Sequence, residues 1–429
     1  MTKAIRALAF LLPAWWLAAT GAVLVAQAAA PAHTTVCNVT QYGAKPDGRT
    51  LDTHAIQAAI DACAAKGGGS VRLAGGAFLS GPIILKSHIT LDVESGATLL
   101  GSPDHADYPV TDVFGARGHL SLISAGHAED LTITGGGTID GNGAGWWAQA
   151  RMQKDHGAVE DVVFRPRLVV FDHCRHVLID HVTIENSPSW QVVPYYSDDV
   201  TIRYSRIYAP AHSPNTDGID PFSSSHVVID HMKIDDGDDN VAIKSGLPGT
   251  TGNRPSTDIT VTNCLFLHGH GMSIGSEVAG GVQNVHVSNI VFRGTDNGVR
   301  IKSARDRGAD ISNLWFSSIR MEDVKTPLLI TEYYPHIPGH DTARPVTPLT
   351  PHFHDIHISS LTATGAKQTG IIAGLPESPI RDLYLDNVHL QGQYGMRISN
   401  ATVTAHDLTV EPAMPPPVIL GENAKLIRK

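Results

Sequence analysis

The chain repeats itself. Runs of the form apolar-x-apolar-x-x-apolar-x-apolar, as in Val177-Leu178-Ile179-Asp180-His181-Val182, begin at Val177, Val200, Val227, Ile259, Val285, Leu314, Ile356 and Leu383, with a related run at Leu131. From Val177 onward the starts lie 23, 27, 32, 26, 29, 42 and 27 residues apart. Period-two alternation marks strands, and recurrence at this spacing marks a stacked array. A propeller blade needs about 40 to 45 residues, whereas roughly 25 suits one coil of a right-handed parallel β-helix. Leucine-rich repeats share the period, but their Leu and Asn ladder is missing.

In such a coil only the inward columns must be apolar, because each side chain stacks on its counterpart about 4.8 Å above and below. Val182, Met232, Cys264 and Ile290 read as one column, and Ile219, Ile243, Ile274 and Ile301 as a second. Four polar clusters flank the second: Asn215-Thr216-Asp217-Gly218, Gly237-Asp238-Asp239-Asn240, Gly269-His270-Gly271 and Arg300-Ile301-Lys302. If Ile301 points in, alternation turns Arg300 and Lys302 out together. Asp239 and His270 each lie four residues before a column isoleucine, so they should stack on adjacent coils, with Asp217 one coil away. Taken singly, Asn-Thr-Asp-Gly and a His between glycines are turn sequences, and Arg-x-Lys is a solvated strand face. In conjunction, at equivalent registers, they predict one site.

These residues resemble the polygalacturonases and related pectin hydrolases of glycoside hydrolase family 28, the bacterial endopolygalacturonases above all. Asn215-Thr216-Asp217-Gly218-Ile219-Asp220-Pro221, Asp238-Asp239-Asn240-Val241-Ala242-Ile243-Lys244 and Gly269-His270-Gly271-Met272-Ser273-Ile274-Gly275-Ser276-Glu277 carry the likeness. Gly137-Thr138-Ile139-Asp140-Gly141, Trp146-Trp147 and Asn186-Ser187-Pro188 extend it upstream. The resemblance covers the whole mature chain and implies a single-stranded, pectin-lyase-like β-helix. It assigns the proton donor to Asp238, the water-activating pair to Asp217 and Asp239, and inversion at the anomeric carbon.

Chemistry independent of the name agrees. Glycoside hydrolysis takes one protonated and one ionised carboxyl, and crowding of Asp235, Asp236, Asp238 and Asp239 should keep at least one proton bound. His270, near the acid, is expected to share its proton and orient it. Arg300 and Lys302 suit the carboxylate of a galacturonate. Lys244 is expected to extend that basic strip, and Asn215 to line the same groove. By resemblance Tyr333 or Tyr334 packs on the sugar, with Tyr333 the expected residue. His336, His340, His352 and His354 lie in a Pro-rich loop without ligand spacing and read as solvated rather than as a metal site.

Lys3 and Arg6, an apolar run from Ala7 to Val25 and Ala26-Gln27-Ala28 have the order of a secretory leader, predicting removal of residues 1–28 and a single domain over 29–429. An uncleaved anchor is the competing reading. Losing Lys3 and Arg6 takes the formal charge from −10 to −12, which disfavours nucleic acid as a partner. Cys37 and Cys63 flank a helical stretch and are the expected disulfide, which the resemblance supports; Cys264 reads as a buried thiol and Cys174 is left unplaced.

The expectation is therefore a secreted monomer, extracellular or periplasmic, capped by a helix around Leu51 to Ala65. It would need no cofactor, would leave the membrane after leader cleavage, and would cut α-1,4-galacturonosyl links of pectic polysaccharide internally. Alternatives are an exo-galacturonosidase, a hydrolase of rhamnogalacturonan or xylogalacturonan, a calcium-dependent lyase and a non-catalytic β-helix adhesin. Internal cutting is expected because the site-bearing coils leave no room for a wall, although residues 336–354 could fold across one end.

Overall fold

The computed structural model describes residues 35–156, 163–250 and 252–429, so the leader and its cleavage point lie outside the described residues. No described helix is long and apolar enough to cross a membrane. The chain winds as a right-handed parallel β-helix whose coils each contribute strands to three faces.

The first face stacks the runs found in the sequence, in the register expected: Leu131, Val177, Val200, Val227, Ile259, Val285, Leu314, Ile356 and Leu383 pair in turn. Val403 adds a further coil. The second face takes Thr183–Glu185, Arg206–Tyr208, Lys233–Asp235 and the end of Ser256–Leu267. The third face takes Val192–Tyr195, Val241–Ile243, Met272–Ile274, Asn297–Lys302 and Thr326–Thr331. Inside, Phe78, Phe171, Phe266, Phe292, Phe316 and Phe353 are fully buried, each such side chain contributing about 1.5–3 kcal/mol of burial.

The second column needs a correction. Ile243, Ile274 and Ile301 stack as expected, but Ile219 pairs with Val241, two residues earlier. The same offset sets Phe222 opposite Lys244 and so brings Asp217 to the level of Asp239. Counting from an apolar residue had missed the shift because Pro221, not an isoleucine, occupies the Ile243 level.

The helix α1, Thr53–Ala64, closes the N-terminal end with Ile56, Ala59, Ile60 and Cys63 buried against the first coils. Cys63 is joined to Cys37 in a disulfide, with 6.0 Å between the Cα atoms. Cys174 and Cys264 are buried free thiols. A second helix, α2 (Ala144–His156), was not anticipated; its Trp147 Nε1 donates to Ser187 O at 2.9 Å.

Between the first two faces the backbone turns through one left-handed residue per coil: His181, Tyr204, His231, Asn263 and Asn289. Asn tolerates this conformation because its short amide bonds locally, and here Asn289 Nδ2 donates to Asn263 Oδ1 at 2.6 Å while Asn263 Nδ2 donates to Asp230 Oδ1 at 2.8 Å. A β-branched side chain is strained there. Asn289→Val should cost about 1–3 kcal/mol and Asn289→Gly clearly less, read as midpoint shifts in denaturant titration; equal losses would mean that the ladder bond, not the φ of 55°, holds the corner.

Candidate active site

The turns that carry the chain from the second face to the third hold Asp236, Asp238 and Asp239 (236–240) and, one coil on, His270 (268–271). Asn240, fully buried, ties them together: its Nδ2 donates to His268 O at 3.0 Å and to Asp236 Oδ1 at 3.3 Å, and its Oδ1 accepts from Gly271 N at 3.1 Å. Close packing just past the third-face strand Met272–Ile274 needs glycine at position 275. That residue has φ 101°, and an added Cβ would fall 1.9 Å from Lys302 O.

Asp239 is the hub. Its Oδ1 accepts from Arg300 Nη1 at 2.8 Å and from Ser273 Oγ at 2.6 Å, and its Oδ2 accepts from Lys302 Nζ at 2.7 Å. Ser273 and Arg300 are register partners on adjacent coils, so alternation alone aims both at Asp239. Burial opposes its ionisation, but Lys302 and Arg300 outweigh that and hold the carboxyl far below the usual range. Asp238 is its contrast: 22% of its side chain is exposed, and its Oδ1 accepts from its neighbour's N–H at 3.0 Å and meets His270 Nδ1 at 3.1 Å. Burial opposes protonation of His270, yet the Asp238 bond raises it.

Beneath lies a second layer. Asp217 and Asp220 are buried, and Lys244 Nζ lies 3.9 Å from the first, 3.6 Å from the second and 3.2 Å from Glu277 Oε2. Burial and then the charges of Asp238 and Asp220 push Asp217 well up. Burial likewise pushes Asp220 up to about 8, with Lys244 opposing. Burial and then Asp238 raise Asp236. Glu277 goes the other way: burial is outweighed by Lys244 and Lys302, which keep it below its ordinary range. The lysine charge is thus balanced chiefly by its nearest carboxylate, Glu277.

Several expectations move. Lys244, expected on an outward basic strip, is buried under the carboxylates with its Nζ 4.7 Å from the Trp190 ring centroid. Tyr334, not Tyr333, lies over the cations, 5.2 Å from Lys302 Nζ and 5.8 Å from Arg300 Cζ. Tyr333 turns toward Arg305 and Asp341. Asp235 leaves the crowded set to pair with His268 at 2.7 Å, and Asp217 and Asp220 take its place. Asn215 is exposed, its Oδ1 accepting from Arg165 Nη2 at 2.8 Å. Arg165 and Arg167 were not foreseen; the latter is buried between Phe114 and Trp190, 4.4 and 4.8 Å from their ring centroids. Both come from a segment outside the repeat, so no register could point to them.

One oxygen each of Asp238 and Asp239 and a ring nitrogen of His270 lie within 4.8 Å of one another, near enough for a shared cation. Asp239 already accepts from three donors, however, and Lys302 and Arg300 supply the positive charge at that point. His340 pairs with Glu422, His352 with Ser378 and His354 with Asp310, so the loop histidines do not converge.

Comparisons with known proteins bear on this site. The model of glycosyl hydrolases family 28 matches residues 69–407. An endo-polygalacturonase of Pectobacterium carotovorum is 32% identical over 377 residues, covering 84% of this chain and 89% of that one. The structure of an exopolygalacturonase from Thermotoga maritima aligns with TM-score 0.72 and 29% identity over 92% of both chains. That of a polygalacturonase from Erwinia carotovora aligns with TM-score 0.70 and 27% identity, over 92% of this chain and 98% of that one.

The elevated Asp220 gives a pH test. A carboxyl raised from about 4 in the unfolded chain to about 8 when folded binds its proton more tightly in the native state. Its stabilisation is complete below the lower value and is lost as pH rises through the upper one. Between about pH 5 and 8 the melting temperature of Asp220→Asn should therefore gain on that of wild type; a gap that stays constant would mean that Lys244 keeps Asp220 ionised throughout.

Proposed function

The chain belongs to glycosyl hydrolases family 28 and is a glycoside hydrolase, and from that premise we propose that it cuts α-1,4-galacturonosyl links of pectic polysaccharide with inversion, acting within the chain. One observation carries the reading: a groove-facing carboxyl, Asp238, held by His270, stands beside a carboxylate, Asp239, kept ionised by Arg300 and Lys302.

In this reading Asp238 donates its proton to the leaving oxygen while Asp239 and Asp217 hold the attacking water. Burial and then the neighbouring charge of Asp238 raise Asp217. Asp238 and Asp239 are closer than the roughly 6.5–9.5 Å usual for inversion. Water held by Asp217 and Asp239 together, rather than across from a lone base, accommodates that spacing.

Substrate charge falls mainly to Arg300. Both are bonded to Asp239, but Lys302 is 5% exposed whereas Arg300 is 13% exposed. Tyr334, with Arg307 5.6 Å from its ring centroid, is the aromatic surface beside it. Export through the predicted leader fits a polymeric substrate too large to enter a cell.

Asp238→Asn should keep the fold and lower kcat on polygalacturonate by about 10²–10⁴. Near-normal turnover with an unchanged circular dichroism spectrum would remove the assignment. Product analysis separates hydrolysis from elimination, since elimination leaves an ultraviolet-absorbing unsaturated end.

Internal cutting is supported by where residues 336–354 are anchored. Arg305 Nη2 meets Asp341 at 2.6 Å, Gly308 N donates to Leu349 O at 2.6 Å, and His340 reaches Glu422. Arg305 and Gly308 lie in the turn that leaves the Arg300 strand and Glu422 lies near residue 429, and none of these partners is Asp217, Asp238 or His270. Solution viscosity of polygalacturonate should collapse while few reducing ends have appeared; a fall only in step with released monomer would make the enzyme exo-acting.

A further inference from the structure

The second face, around the corner from the carboxylates, carries a strip that the reaction does not use. Arg206, Lys233, Leu265, Val291 and Arg320 are register partners on five successive coils. At about 4.8 Å per coil they form a row about 19 Å long. Their neighbours Ile207, Ile234, Phe266 and Phe292 are buried in the core, so the row faces out. Two cations stand at one end, one at the other, and two aliphatic side chains lie between.

A cavity of about 820 Å³ opens over the strip. Its wall is the stacked corner column of His181, Tyr204 and His231, with ring centroids 5.2 and 4.8 Å apart, and Tyr204 is 46% exposed. Charge is the second observation. Asp180 and Asp230 are bonded to His181 and His231, Asp235 is paired with His268, and Glu322 is held by Arg293 and Arg320. Arg206 and Lys233, both exposed, enter no ion pair among the described residues. On a chain of formal charge −10 this local surplus selects a polyanion, while Leu265 and Val291 suit the C–H faces of sugar rings rather than bare phosphate.

We propose that this strip is a second binding site for galacturonate chains, separate from the catalytic groove, which holds the polymer against the enzyme while it is cut. The proposal rests on the substrate reading above. The strip and the groove are neighbours within one coil: Asp235, paired with His268, lies two residues after Lys233 and three before Asp238.

The test compares Arg206→Ser/Lys233→Ser with a charge-matched control on distant surface, Lys66→Ser/Arg381→Ser. Each is made in the active enzyme and in an Asp238→Asn background that leaves the matrix uncut. In native gels containing polygalacturonate, the strip variant should lose retardation that the control keeps, and fully methyl-esterified pectin should retard neither. With active enzyme its KM on polymer should rise about threefold or more at low salt, while kcat/KM on trigalacturonate stays at the wild-type value. Retardation and polymer KM equal to the control would overturn the strip yet leave the catalytic reading intact. Failure of wild type to cut trigalacturonate and polymer alike would overturn the catalytic reading, and this one with it.

Discussion

Coil-to-coil register is the constraint on which the site depends. A parallel ladder fixes residues of adjacent turns about 4.8 Å apart, so side chains far apart in sequence meet if their registers agree. Ser273 and Arg300 are partners in that ladder and converge on the carboxylate of Asp239. Lys244, Gly275 and Lys302 share another level by the same pairing. The two lysines can lie on either side of the carboxylates because the residue between them has no side chain. A one-residue slip would turn Arg300 inward and leave Asp239 buried without its cations, at a cost of several kcal/mol.

Charge in the site is sorted by depth. Asp239 is ionised because three donors reach it, and Glu277 because Lys244 does. Asp217, Asp220 and Asp236 are pushed toward the protonated form because burial is not matched by enough cation. These buried carboxyls lie below a surface at which Asp238 and, on the other side of His270, Asp296 are partly exposed. A buried layer of this kind is costly, and the apolar columns around it supply the compensating burial.

The fold was legible because period-two alternation recurred at a coil-like interval; every run start from Leu131 to Leu383 falls on the pairing expected. The candidate cluster was legible for the same reason, since Asp238, Asp239, His270, Arg300 and Lys302 sit at fixed offsets from inward residues. What was not legible depends on turns, whose lengths vary from coil to coil. The offset of Ile219 follows from the turn at 210–218. The choice between Tyr333 and Tyr334 follows from a loop that leaves the ladder after Thr331. Lys244 was read as outward by alternation, correctly, but outward from a β-helix is not the same as exposed when neighbouring turns fold over the strand. Arg165 and Arg167 belong to no repeat.

The histidines show how one composition serves two purposes. Of 23 in the chain, His176, His181, His226 and His231 occupy left-handed corners, where a carboxylate of the same corner or an adjacent one accepts from the ring, as Asp180 and Asp230 do. His176 and His226, like His181 and His231, hold equivalent positions two coils apart. His270 differs in one respect: its carboxylate partner, Asp238, opens on the groove rather than on the flank of a face. The same imidazole–carboxylate contact that elsewhere secures a turn is placed there on the one turn where two carboxylates and two cations from neighbouring coils converge, so location within the register, rather than residue type, separates a structural histidine from one that can share a proton in a reaction.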